Sequence, residues 1–135
     1  MNRGDSGDEY TMSTLINQGA RYLVLLVAIE HVWIMIAEVF MWKSTIATDL
    51  FNYDAEEAET TALLARAHGV YSGLFGIGLM WAFVATGLEA YNLRVFLFSA
   101  ILASGLATGA TGNKKFLIIQ TLPAGLGLLL TTWYS

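Results

Sequence analysis

The sequence predicts an all-α protein, a four-span transmembrane helix bundle, and three observations lead there. Of the 135 residues 56% are hydrophobic and only 13% charged, where an ordinary soluble domain carries about 25% charged residues. Four long apolar runs, at 22–42, 62–88, 95–112 and 116–134, reach or approach the ~20 residues that a helix needs to cross a ~30 Å hydrocarbon core. The acidic residues gather mainly in two polar stretches, one at the N-terminus and one between the first two runs, and from His68 onward the runs themselves hold no Asp, Glu, Lys or Arg. So many apolar runs in so short a chain leave too little polar surface to cover them in water.

The elements follow in order. Residues 1–19 read as a polar acidic tail with Asp5, Asp8 and Glu9, and without the basic leading segment of a signal peptide the first span is expected to be retained. Residues 20–135 then form the single transmembrane domain. The segment from Lys43 to Arg66 is the one long loop. Within it Asp54 stands three residues before Glu57, an acidic helix-capping pattern, and Ala55 to Ala67 is rich in helix formers. The second helix is therefore expected to start in water near residue 55 and to enter the membrane near Ala62. Glu89 to Arg94 and Asn113 to Lys115 read as turns, and the last two spans are short, which favours little tilt. Trp42 and Trp133 suit the membrane interface.

Charge and composition narrow the partners. A net charge of −4 with no basic stripe argues against nucleic acid. The absence of cysteine excludes a disulfide framework, a thiolate metal site and a cysteine nucleophile. Arg3, Arg21 and Arg94 fall on the side of both termini, against Lys43, Arg66, Lys114 and Lys115 on the other. That small excess of positive charge in the loops leans towards both termini outside, in an inner membrane of bacterial type, and it also permits both orientations.

The chemistry-bearing residues are those that the membrane disfavours. The first span holds Glu30, His31 and Glu38. A central acidic residue opposes insertion by ~2.5–3.5 kcal/mol while each Leu, Ile, Phe or Val returns ~0.3–0.6, so two glutamates nearly cancel the gain of the helix. Their place is inside a bundle, next to partners. His31 and Glu38 share one helix face but lie ~10.5 Å apart along the axis, too far for both to hold one ion. Matching depths across antiparallel spans expects Glu38, His68, Tyr71, Ser72, Thr108 and Gln120 in one polar layer, with Thr111 at similar depth. A deeper layer would hold Glu30 and His31 beside Ser104. Convergent polar groups in an apolar bundle form a candidate ligand site, in which Glu38 and His68 are the candidates for acid–base chemistry and, more weakly, for a metal. The plain alternative is a polar network that only holds helices together, which fits Ser104, Thr108 and Thr111 best. No cofactor is specified by any motif.

Small residues carry a packing signal. Gly69, Gly73 and Gly76 fall on one stripe of the second span, and Gly105 with Gly109 repeats the spacing in the third, as expected where backbones approach closely. Pro123 removes the hydrogen bond to the Ile119 carbonyl beside Gln120.

Three patches give the chain a resemblance: Glu30-His31 followed by Glu38-Val39-Phe40-Met41-Trp42, Gly69-Val70-Tyr71 leading into a glycine-rich span, and Gln120-Thr121-Leu122-Pro123-Ala124. From Tyr22 onward it resembles a family of small bacterial integral-membrane proteins known as domain of unknown function 1304. The resemblance implies four spans and no particular reaction. Where the family pattern reads Asn-Gln-Gly-x-Tyr-Asn, this chain has Ala67, His68 and Ser72 in place of the amides. It thereby exchanges amide groups for a titratable imidazole and a hydroxyl.

Three functions are consistent with these residues. The first is a membrane protein that handles a small lipophilic molecule at the Glu38, His68, Tyr71 and Gln120 layer. The second is a proton-coupled small exporter working as a homodimer, on the strength of a carboxyl in the first of four spans and the weak orientation bias. The third is an accessory subunit of a larger membrane complex, suggested by the small-residue stripes and the acidic tail.

Overall fold

The computed structural model describes residues 5–110 and 114–133, and these are wholly helical apart from short connections. The helices are α1 (Asp5–Phe40), α2 (Thr45–Phe51), α3 (Ala55–Val84), α4 (Gly87–Ala110) and α5 (Lys114–Trp133). Among the described residues three helices, α1, α3 and α4, are long and apolar enough to cross a membrane. The apolar part of α5, Ile118–Trp133, is shorter. The all-α class is thus as expected, and three of its members have membrane-crossing length and composition.

Helix boundaries differ from expectation in three places. The segment expected as a polar tail is helical from Asp5 and runs without a break into the first span. Acidic residues in the opening turns suit the positive end of the helix dipole. The hydroxyls of Thr11 and Thr14 fold back onto the carbonyls of Gly7 and Tyr10, so these polar side chains do not compete with the helical backbone. Glu89 to Arg94 is not a turn but the start of α4. The reversal occurs earlier, at Ala85 and Thr86, because Gly87 adopts a left-handed φ of 61° that a side chain would disfavour. Third, α2 is a short helix inside the expected loop, capped by the Ser44 side chain and ended by Asn52 in the left-handed region. The start of α3 agrees with its sequence pattern. The Asp54 carboxylate accepts from the Glu57 backbone N–H while the Glu57 carboxylate accepts from the Asp54 N–H, a closed capping box.

The four long helices close into a ring in which α1 packs on α3, α3 on α4, α4 on α5 and α5 on α1. The centre is apolar, with Val24, Val27 and Ala28 of α1, Leu79 and Ala82 of α3, Leu97, Phe98 and Ile101 of α4 and Ala124 of α5 all buried together. Outward faces carry large apolar side chains as well, among them Leu63, Leu64, Ile77, Phe96 and Leu122. Contiguous exposure on that scale suits lipid rather than water.

Glycine sets two of the contacts. A Cβ on Gly69 would stand 2.8 Å from Val39 Cγ2 and 2.9 Å from Glu38 Cβ, and one on Gly76 3.2 Å from Val32 Cγ2. Gly73 lies against the Met35 side chain between them. The stripe read from the sequence is therefore the seam between α3 and α1. Gly127 of α5 lies equally close to the ring of Phe98 on α4.

The two contacts differ in what can yield. Phe98 is rigid and fully buried, whereas Met35 is a flexible thioether chain. Gly127→Ala is expected to lower stability by about 1–3 kcal/mol through overpacking, and Gly73→Ala by less, since Met35 can move. Unfolding of the purified protein in mixed micelles measures both.

Candidate functional site

At the seam of α1 and α3, Glu38 is 6% exposed, and its carboxylate accepts from Nδ1 of His68, with Nδ1 at 2.9 Å from Oε1 and 2.7 Å from Oε2. The neighbouring Gly69 makes this possible, since any side chain there would collide with Glu38. The His68 side chain is half exposed and reaches the interior from the seam. With Nδ1 engaged, Nε2 is the nitrogen left for anything that enters. The same holds for His31, buried one face along α1, whose Nδ1 donates to the Val27 carbonyl at 2.9 Å. Each hydrogen bond fixes its ring's tautomer and leaves one ring nitrogen as an acceptor.

These two imidazoles border one cavity of about 200 Å³, together with Tyr71, Ser72 and Phe75 of α3, Ala100, Ile101 and Ser104 of α4 and Gln120 of α5. Ser72 and Gln120 are buried. The two polar layers expected from depth matching thus merge. His31 and Ser104, assigned to the deeper one, stand around the same space as His68, Tyr71, Ser72 and Gln120. Glu38 does not border the cavity and meets it through His68.

Two expected members do not join. Thr108 turns its hydroxyl onto the Ser104 carbonyl of its own helix at 2.9 Å. Glu30 points to another sector of α1, as its angular offset from His31 implies, and its buried Oε1 has no hydrogen-bond partner among the described residues. Thr111 lies outside the described residues. As to a metal, Glu38 and His68 bond to each other, and no group of three or more His, Asp or Glu that could hold an ion occurs among the described residues. The apolar walls, Phe75, Ala100 and Ile101, were not singled out by sequence, because nothing distinguishes them from other core residues until the packing is known. Phe75 lies 6.2 Å from the His31 ring, centroid to centroid.

The loop closes over the Glu38 end. Trp42 stacks on Tyr53 with ring centroids 4.3 Å apart and meets Phe51 at 5.2 Å. The Trp42 indole donates to Thr61 Oγ1 at 3.1 Å, and the Tyr53 hydroxyl donates to the Trp42 carbonyl. Burial first, and then the negative charge of Glu38, push the Tyr53 hydroxyl up from its ordinary 10.0 to about 12. Lys43 and Glu59 pair at 2.6 Å on the exposed rim, a contact of small energetic weight.

Two measurements follow from this geometry. His68→Ala leaves the buried Glu38 carboxyl without its partner and should lower stability by about 1–3 kcal/mol. Adding Glu38→Gln should then lose less than the sum of the two single changes, with a coupling of about 0.5–3 kcal/mol in the double-mutant cycle. The raised Tyr53 value means that the folded chain holds this proton more tightly than the unfolded one. Its contribution is therefore fully present below about pH 10 and is lost as pH rises through about 12. Tyr53→Phe should flatten that part of the stability profile.

Comparison with known proteins agrees with the patches noted in the sequence. The family model described as protein of unknown function (DUF1304) matches residues 25–132. The chain is 35% identical over 109 residues to the uncharacterized protein YpaA of Lactococcus lactis subsp. lactis (strain IL1403), a match covering 79% of this chain and 88% of that protein. No solved structure matches. The matched region contains the α1–α3 seam, the Glu38–His68 pair and the whole lining of the cavity, and the chain belongs to the DUF1304 family.

Proposed function

We propose that this is a four-span membrane protein which binds a small, mainly apolar molecule in the cavity between α1, α3, α4 and α5. The observation that carries the reading is the cavity itself. Hydrogen-bonding groups from all four long helices, His31, His68, Ser72, Ser104 and Gln120, converge on one space among otherwise apolar walls. Such a combination of apolar lining and few polar groups is what small-molecule sites share. A volume of about 200 Å³ lies below the ~300 Å³ at which drug-sized pockets begin, so the ligand is compact. In this reading α5 is the fourth span despite its shorter apolar stretch, because it closes the ring.

The side chains divide the work. Gln120 offers both a donor and an acceptor and orients the polar end of the ligand. The His68 Nε2 accepts a proton or hydrogen bond from it, while Glu38 holds the ring in place through Nδ1 and balances a positive charge when the imidazole is protonated. Phe75 and Ile101 exclude water and select an apolar body. A carboxylate–imidazole pair of this kind also suits acid–base chemistry on the ligand.

A second reading, a dimeric proton-coupled exporter, draws on Glu30, whose buried Oε1 has no hydrogen-bond partner among the described residues. A second copy could supply its partner. Flux driven by a pH gradient in liposomes, abolished by Glu30→Gln and accompanied by insertion in both orientations, would favour it.

Native mass spectrometry of the gently extracted protein tests the first reading. The wild type should retain a small molecule at one per chain, and Gln120→Leu and His68→Ala should each lose most of it. Equal retention in wild type and both variants would remove the cavity from the account.

A further inference from the structure

We infer that the opposite end of the bundle holds an anion site for a phosphoryl group, seated between Arg94 and Arg21. Arg94 lies within α4 and is 5% exposed. One of its terminal nitrogens, Nη1, donates to Asn17 Oδ1 of α1 at 2.8 Å, while its Nε is buried with no hydrogen-bond partner among the described residues. The ion pairs among the described residues are Lys43–Glu59 and His68–Glu38, and neither arginine takes part in one. A buried guanidinium with no counter-charge and an unused donor is unfavourable unless a ligand supplies the acceptor.

The space for that ligand adjoins it. A cavity of about 340 Å³ is bordered by Arg94 and Arg21 with Ser13, Asn17, Tyr91 and Thr131, and among the described residues no acidic one lines it. Arg21 is held in place at its inner side, with Nε donating to the Phe83 carbonyl at 3.1 Å and the guanidinium carbon 4.7 Å from the centre of the Phe83 ring. Ser13 and Thr131 donate to carbonyls of their own helices, which leaves the two guanidiniums as the strong donors. The first turn of α4, at Gly87 and Ala90, borders the same space and adds the positive end of a helix dipole.

Charge and position select the ligand class. Two planar donor forks match the several oxygens and the one or two negative charges of a phosphoryl group, where a lone carboxylate would balance only one of them. The cavity volume lies near the ~300 Å³ lower end of ligand pockets, the size of a headgroup or a small ester. It sits where α3 gives way to α4, at the ends of the long helices, the depth at which lipid headgroups lie. A phospholipid headgroup and a soluble phosphate ester offer the same chemistry. The site is independent of the ligand proposed above, since Arg21 and Glu38 are about 25 Å apart along α1 at 1.5 Å per residue.

The test uses the full chain in phosphatidylcholine nanodiscs, with dioleoylphosphatidic acid as the lipid probe and glycerol 3-phosphate as the soluble one. Binding is read by native mass spectrometry and phosphorus NMR. One equivalent of one probe should bind the wild type. Arg21→Gln, a change at an exposed residue, and Arg94→Gln should each weaken it about tenfold or more, the loss of one charge-assisted contact. Helicity by circular dichroism checks that each variant is folded, and Arg21→Gln keeps the test decisive where Arg94→Gln unfolds. Saturation by the lipid alone assigns a headgroup, and saturation by glycerol 3-phosphate alone assigns a soluble ester. Failure of both probes to bind the wild type, or equal binding to the wild type and the folded variants, overturns the site, and neither result touches the Gln120 and His68 cavity.

Discussion

The structure depends on the close approach of α1 and α3. Three glycines at spacings of four and three residues remove the side chains that would hold these helices apart, and α1 answers with Glu38 and Val39, Met35, and Val32 in turn. Without a hydrophobic drive between helices in lipid, such contact rests on packing of backbone against side chain. It also fixes register. Once Gly69 lies against Glu38, His68 has one neighbour to bond, and Ser72 faces inward one turn further along α3. The polar pair is thus a consequence of the seam rather than its cause.

Much of this was legible in the sequence, for physical reasons that can be named. The apolar runs and the Asp54–Glu57 cap are local signals, and local signals survive folding. The glycine stripe was legible because small residues at helical spacing have few other uses in an apolar helix. The pairing of Glu38 with His68, and the placing of His68 and Gln120 around one space, follow from antiparallel helices of known ends, whose depths are computable. Depth, however, gives no rotation. Thr108 lies at the right height but bonds to its own helix, and Glu30 lies near the right height on the wrong sector. The start of α4 departs from expectation because Glu89 and Arg94 read as charges expelled from the membrane, whereas Gly87 makes the reversal and lets Arg94 turn inward to Asn17. The helicity of the N-terminal segment was hidden by its polarity, since hydroxyl and acidic residues serve a capped helix start as well as a loose tail.

Polar groups are distributed unequally between the two ends of the ring. The end near the loop holds Glu38, two imidazoles and an aromatic cover made by Trp42, Phe51 and Tyr53. The end near Gly87 holds two arginines and, among the described residues, no acid within its cavity. Between them lies the apolar centre around Phe98 and Leu79. That centre separates two electrostatic environments of opposite kind.

The unbroken length of α1 has a mechanical meaning. Its 36 residues span about 54 Å at 1.5 Å per residue, against ~30 Å of hydrocarbon. The excess belongs mostly to the polar N-terminal half, which continues into the apolar half as a single helix. Asp8 and Glu9 are therefore carried about 6–8 Å along the axis beyond Ser13, where α1 borders the space it shares with α4 and α5. Both side chains are exposed, so the acidic tip turns its charge to the surroundings and away from the interior of the ring.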